Sequence, residues 1–136
     1  MNDVVVNKVQ SIQRCVKRAR DDHRNAGDSF ATDFLHQDAA ILNVVRACET
    51  AIDLANHVIR DRKLGIPTST AEAFRLLQSA RLIDSPLCER LVKMVGFRNT
   101  AIHQYTKLDI KIVEAVITRG LDDLLAFAEA MRKEMT

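Results

Sequence analysis

An all-α fold, an antiparallel bundle of four main helices with one short extra helix, is the architecture this sequence predicts. Apolar residues recur at three- and four-residue spacing, as in Val5, Val9, Ile12, Val16 and Ala19. Only four glycines and two prolines interrupt 136 residues, so turns are few and the segments between them long. Ala, Leu, Val, Ile and Arg are plentiful, which favours helices in those segments.

The first helix carries that stripe, with Lys8, Arg14, Lys17, Arg18, Asp21 and Arg24 on the remaining positions. Asn25-Ala26-Gly27-Asp28-Ser29 reads as a break, with Asp28 or Ser29 as the N-cap of the next helix. From Phe30 to Lys63 there is no Gly or Pro. Ile41, Val45, Cys48, Ile52, Ala55 and Ile59 form a stripe there, widened by Leu35, Val44, Ala51 and Val58, so this second helix should touch more than one neighbour. Leu64-Gly65-Ile66-Pro67 supplies a left-handed terminating residue and then a residue that cannot continue a helix.

Ser69 and Glu72 have capping-box spacing and open a short third helix with Ala73, Phe74, Leu77 and Ala80 on one face. Ser85-Pro86 reads as an N-cap with proline at the first helical position, leading a fourth helix through Leu87, Leu91 and Val95. Asp109 is the cap expected for a fifth, in which Val113, Val116, Leu121, Leu124, Ala128 and Met131 keep the period. Gly120 within it marks either a close helix approach or a tolerated glycine.

Length and composition narrow the function classes. One domain spanning 1–136 is expected, with 47% hydrophobic and 28% charged residues, the balance of an ordinary folded protein. A net charge of +2 is too small to be an electrostatic signature of nucleic-acid binding, so any RNA contact must be local. Cys15, Cys48 and Cys88 are odd in number and far apart, which suits core packing rather than a disulfide framework or zinc site. No apolar run is long enough for a signal peptide or a membrane span, and a cytoplasmic protein is expected.

The chemistry concentrates in Arg98-Asn99-Thr100-Ala101-Ile102-His103-Gln104-Tyr105. Residues five apart sit roughly 140° apart around an ideal helix, so Arg98 and His103 share a face only if the fourth helix bends or stops between them. An end near Ala101 or Ile102 is therefore expected, with His103 and Tyr105 made neighbours by an extended segment.

This block, from Met94 through Tyr105 and on to Leu108-Asp109, resembles the signature of HEPN-domain toxins of the HepT type: R-x4-H-x-Y, with Asn directly after the Arg. Arg46-Ala47-Cys48-Glu49 with Ala55-Asn56, and Leu121-Asp122-Asp123-Leu124, are similar to the family's other patterned stretches. Two departures stand out: Gln104 occupies a place where many members carry Gly, and the first helix is long and basic.

The resemblance implies the toxin of a type II toxin–antitoxin pair: a metal-independent endoribonuclease without a cofactor, held inactive by a small MNT-type nucleotidyltransferase antitoxin. An imidazole such as His103 can take the proton of a ribose 2′-hydroxyl, whose oxygen then attacks the adjacent phosphate and leaves a 2′,3′-cyclic end. The planar guanidinium of Arg98 suits the charge that builds on the phosphate oxygens. Asn99 could orient either the phosphate or the imidazole. One imidazole per chain leaves no donor for the leaving 5′-oxygen, and the resemblance implies a homodimer with a composite site that supplies a second. It also implies that Tyr105 accepts AMP groups from the antitoxin, which would set phosphate charge beside Arg98 and His103. The alternative is a non-catalytic HEPN module that serves as docking partner and substrate of the nucleotidyltransferase.

Other candidates have plainer readings. Asp53 and His57 are four apart, but no Glu-x-x-His pair completes a di-metal centre. His23 and His36 read as solvated or capping residues. Lys17, Arg18, Arg20 and Arg24 suit a solvated face and the negative end of the first helix better than an RNA-facing patch.

Overall fold

A computed structural model describes residues 2–135. Among them there is no strand, and the order of elements is α1 (Asp3–Ala26), α2 (Phe34–Arg62), α3 (Thr70–Ser79), α4 (Ser85–His103), α5 (Ile110–Ala115) and α6 (Leu121–Met135). A π turn, Val116–Gly120, joins α5 to α6, so the expected fifth helix is a helical run with one wide turn inserted.

Cross-helix contacts fix the directions. Asn2 at the start of α1 bonds His57 near the end of α2 at 3.2 Å, and Arg20 near the end of α1 pairs with Asp122 at the start of α6 at 2.8 Å. Tyr105, just past the end of α4, meets Asp38 near the start of α2, and between α4 and the run into α6 Met94 lies by Gly120 while the earlier Arg90 pairs with the later Asp123 at 2.8 Å. Each of these neighbouring pairs therefore runs antiparallel, giving a four-helix bundle in which α3 packs against α2 and α4. No helix among the described residues is long and apolar enough to cross a membrane.

The core follows the sequence stripes. Val5, Val9, Ile12, Val16 and Ala19 of α1 are buried against Val44, Cys48, Ala51, Ala55, Val58 and Ile59 of α2, in one cluster with Leu121, Leu124, Ala128 and Met131 of α6. All three cysteines are buried and unpaired. Phe74 of α3 meets Phe127 of α6 edge to face at 5.3 Å, which ties the short helix to the bundle. Leu35 does not join this core: it is 78% exposed in the first turn of α2.

Several helix ends differ from expectation. The cap of α2 is Asp33, which accepts from the His36 amide, rather than Asp28 or Ser29. Those two sit in or beside a 3-10 turn, Gly27–Ser29, that carries Phe30 into the core. Phe30 is 1% exposed with the His23 ring 4.8 Å away, and an α-helix starting at Phe30 would lose that path. At the other end of α2 the left-handed residue is Lys63, φ 55°, earlier than the expected stretch. The Leu64 amide closes back on the Ile59 carbonyl at 3.0 Å, while the Leu64 side chain packs against the core.

The Ser69 hydroxyl caps α3 by accepting from the Glu72 amide, but Glu72 reaches back to the Thr68 amide and hydroxyl, not to Ser69. Asp84, not Ser85, caps α4, accepting from the Leu87 amide at 2.8 Å and leaving Pro86 within the first turn. Asp109 caps α5 as expected. Gly120 marks a close approach: a Cβ there would lie 3.1 Å from Met94 Sδ.

Candidate active site

The helix that carries the motif does not end before His103. α4 runs through it and stops at Gln104, whose φ of −140° and ψ of 47° leave the helical region. A 3-10 turn, Tyr105–Lys107, follows. The expected end at Ala101 or Ile102, and the extended segment that would have set His103 beside Tyr105, do not form. Ala101 is buried and helps hold this last turn on the bundle.

Arg98 and His103 therefore sit on different faces of one continuous helix. Arg98 Nη1 donates to Asn99 Oδ1 at 2.9 Å, and Asn99 lies one turn before His103 on the same face, at i and i+4. The bond ties the guanidinium to a side chain one turn before the imidazole. Of the two roles left open for Asn99, orienting phosphate or imidazole, the structure shows neither directly: its carbonyl oxygen holds the guanidinium.

Glu49 of α2 is the second holder, accepting from Arg98 Nη2 at 3.5 Å. The Arg98 side chain is 27% exposed and Glu49 47%, so the cation is half-sheltered but reachable. Arg98 Nε is covered and has no hydrogen-bond partner. A covered donor left unmet costs roughly 1–3 kcal/mol, which this arrangement bears in the free protein. Beneath the guanidinium, burial pushes the Cys48 thiol up to about 12 despite the opposing charge of Arg98. Cys48 is thus a packing residue, not a nucleophile.

His103 is exposed at the end of α4. Tyr105 turns the other way, towards α2, and its hydroxyl donates to the Asp38 carboxylate. Desolvation, then the Asp38 hydrogen bond and charge, push the phenol up to about 12. Tyr105 as a whole stays 43% exposed, in a groove of about 330 Å³ lined by Asp38, Ile41, Leu42, Val45, Ala101 and Ile102.

Sequence reasoning named Arg98, Asn99, His103 and Tyr105 but missed Asp38 as a partner and gave Glu49 no role. Both lie on α2, dozens of positions away in the chain, so no local spacing announces them. The plainer candidates have structural partners: His57 with Asn2, Asp53 with Lys8 at 4.0 Å, His23 with Glu114 at 3.2 Å, and His36 with the cap residue Asp33 at 2.6 Å. Lys17 and Arg24 both pair with Asp21, and Arg20 holds the Ile117 carbonyl of the π turn at 3.1 Å. Those three cations serve α1 and its packing on the α5–α6 run.

Comparison with known proteins agrees with this fold. A family model described as "Ribonuclease HepT-like" matches residues 9–131. The chain is 43% identical over 134 residues, 98% of its own length and 100% of the relative's, to a protein of Shewanella oneidensis named mRNA nuclease HepT. Among solved structures, a tri-AMPylated Shewanella oneidensis HEPN toxin in complex with MNT antitoxin superposes with a TM-score of 0.92 at 42% identity, covering 98% of this chain and 99% of that one. A toxin–antitoxin with AMP-PNP superposes with a TM-score of 0.90 at 42% identity, over 96% and 99% of the two chains. With motif, bundle and full-length likeness in accord, the chain belongs to the HepT-like ribonuclease family, the HEPN toxins of toxin–antitoxin pairs.

Proposed function

We propose that this ribonuclease is the cytoplasmic toxin of a HEPN/MNT pair and cleaves RNA without a metal through the ribose 2′-hydroxyl. Arg98 and His103 carry the chemistry. His103 takes the proton of the 2′-hydroxyl, the 2′-oxygen attacks phosphorus, and the bond to the 5′-oxygen breaks to leave a 2′,3′-cyclic phosphate. Arg98 stabilises the charge on the non-bridging oxygens, and Asn99 acts as its positioning residue.

The observation that carries the reading is the Arg98 head, bonded to Asn99 Oδ1 at 2.9 Å and loosely held by Glu49 at 3.5 Å. A permanently charged fork, reachable and not locked in a tight ion pair, is suited to exchange these partners for phosphate oxygens. Doing so would also release Nε from its unmet state. The leaving 5′-oxygen needs a proton donor, which a second His103 supplies in a two-fold homodimer. Phe34 and Leu35, 70% and 78% exposed at the start of α2, offer apolar surface for a second copy.

Regulation follows from the relatives. The similar Shewanella oneidensis toxin is tri-AMPylated and bound to an MNT antitoxin. In this chain Tyr105, its single tyrosine, is the acceptor, and an adenylyl group on it would add phosphate charge and bulk beside the end of α4 that carries His103.

Incubation with RNA in EDTA, wild type beside His103→Ala, tests the reading. Cyclic-phosphate ends from the wild type alone are expected. Equal cleavage by both proteins would refute the role of His103. Absence of cleavage with Tyr105 still AMPylated would leave a docking module in place of a nuclease.

A further inference from the structure

The mechanism of cleavage makes no use of Asp38, yet its carboxylate accepts the hydrogen bond of the one tyrosine in the chain. Asp38 does not cap α2, which is the work of Asp33. It stands in the second turn of that helix, exposed, across the groove from the end of α4. Apart from the Asp38–Tyr105 pair, every residue lining that groove is apolar. A carboxylate placed there on a phenolic hydroxyl has a chemical use if the hydroxyl is a nucleophile.

We infer that Asp38 is the general base for AMPylation of Tyr105, supplied by the toxin to the reaction that silences it. This rests on the reading of Tyr105 as acceptor. In the step, Tyr105 Oη forms a bond to the α-phosphorus of ATP held by the nucleotidyltransferase. The bond between the α-phosphorus and the bridging oxygen breaks, pyrophosphate leaves, and the phenolic proton passes to Asp38 Oδ1 and then to water. A protein-kinase aspartate accepts a substrate hydroxyl proton in the same way. Here the aspartate belongs to the substrate.

The state of the phenol makes such a base necessary. With the hydroxyl pushed up to about 12, only about one molecule in 10⁵ carries free phenoxide at pH 7. Desolvation raises the phenol most and Asp38 adds to it, and the same carboxylate is placed to receive the proton as the oxygen–phosphorus bond forms. Positioning alone could be served by any acceptor; a base must be able to hold the proton afterwards. Asn in place of Asp38 separates the two, because its carbonyl still accepts from the phenol but cannot take the proton.

The ionisable groups nearest the groove on these elements are His36, held by Asp33, His103 and Lys107 flanking Tyr105, and Arg46 directly after Val45 on α2, with the Glu49–Arg98 pair further along. None of them lines the groove. They are common to wild type and variant, so a difference between the two pH profiles reports on Asp38.

The test uses full-length toxin, its cognate nucleotidyltransferase and ATP, with adenylyl addition followed by intact mass from pH 6 to 9. Wild type is expected to be nearly flat with pH. Asp38→Asn should fall by about 10²- to 10³-fold at pH 7, the scale of a lost general base. Its rate should then climb about tenfold per pH unit as phenoxide becomes available, with KM for the toxin within a few-fold. Asp38→Glu should recover part of the rate, and circular dichroism should show the same helicity in all variants. An Asp38→Asn rate within threefold of wild type, or a loss confined to KM with an unchanged pH profile, would overturn the assignment. Tyr105→Phe is the separate control: continued AMPylation there would remove the acceptor reading itself.

Discussion

Replacing Arg98 by Lys keeps the charge and removes the fork, so it isolates what the guanidinium geometry contributes. In the free protein the side chain makes one good hydrogen bond, to Asn99 at 2.9 Å, and one long contact with Glu49 at 3.5 Å, while Nε is covered and unmet. A pair this open is worth about 0–1 kcal/mol to the fold, and losing the unmet Nε offsets part of that. Stability should therefore change by under about 1 kcal/mol, a few degrees at most in Tm for a chain of this size. Catalysis should suffer far more. A lysine ammonium can reach one phosphate oxygen but cannot bridge two, and losing one charged donor in the transition state costs about 2.7–4 kcal/mol, or 10²- to 10³-fold. Single-turnover cleavage of a fluorogenic RNA in EDTA, beside a thermal melt followed by circular dichroism, reads both quantities. A Lys variant cleaving within tenfold of wild type, or losing activity only in step with its folded fraction, would refute the assignment of Arg98 to the phosphate.

Two further outcomes follow from the same contacts. Tyr105 is the only tyrosine and there is no tryptophan, so phenolate absorbance reports on this one side chain. With the phenol held at about 12 by desolvation and Asp38, no phenolate signal should rise near pH 10, and Asp38→Asn should bring the transition to lower pH. The sign for stability follows: the folded value lies above the ordinary one, so the contribution is complete below about pH 10 and is lost as pH climbs towards about 12. Gly120→Ala should be nearly neutral in urea unfolding. The helix gains about 1 kcal/mol, against a thioether 3.1 Å away that borders the open α4–α5 cleft and can shift. Gly120→Leu, with more atoms than that cleft edge admits, should cost about 1–3 kcal/mol.

The helices were legible because their apolar periods are long and only four glycines and two prolines break them. Their ends were less so. Asp28, Ser29 and Asp33 are all good caps, as are Asp84 and Ser85, and the choice between them is tertiary: the buried Phe30 forces the chain through a 3-10 turn before α2 can start. The π turn left no mark in the apolar pattern. Ile117, not Val116, is the residue buried there, and Val113, Ile117 and Leu121 keep four-residue spacing straight through the wide turn. At the site, the motif residues could be named from order and spacing, but their arrangement could not. The bend expected between Arg98 and His103 was inferred from backbone geometry alone, whereas the molecule keeps α4 straight and lets the arginine reach Asn99. Asp38 and Glu49 approach the motif only through packing of α2 on α4, which no local pattern encodes.

The straight α4 bears on how many chains make one site. Arg98 and His103 stand about 140° apart on it, and one imidazole cannot be both the proton acceptor for the 2′-hydroxyl and the donor for the 5′-oxygen within a single attack. A cleft shared by two copies resolves both difficulties, since the arginine of one protomer can then serve a phosphate attacked under the histidine of its partner. Mixing Arg98→Ala chains with His103→Ala chains tests this. Each variant alone lacks one function in both protomers and should be inactive, whereas a mixed dimer keeps one intact Arg98 and one intact His103 on opposite chains. The mixed dimer has a single imidazole and leaves the 5′-oxygen to be protonated by water, so cleavage well below wild type but above the sum of the two parents is expected once native mass spectrometry shows that subunits have exchanged. If the exchanged mixture stays as inactive as its parents, the two residues do not complement across an interface.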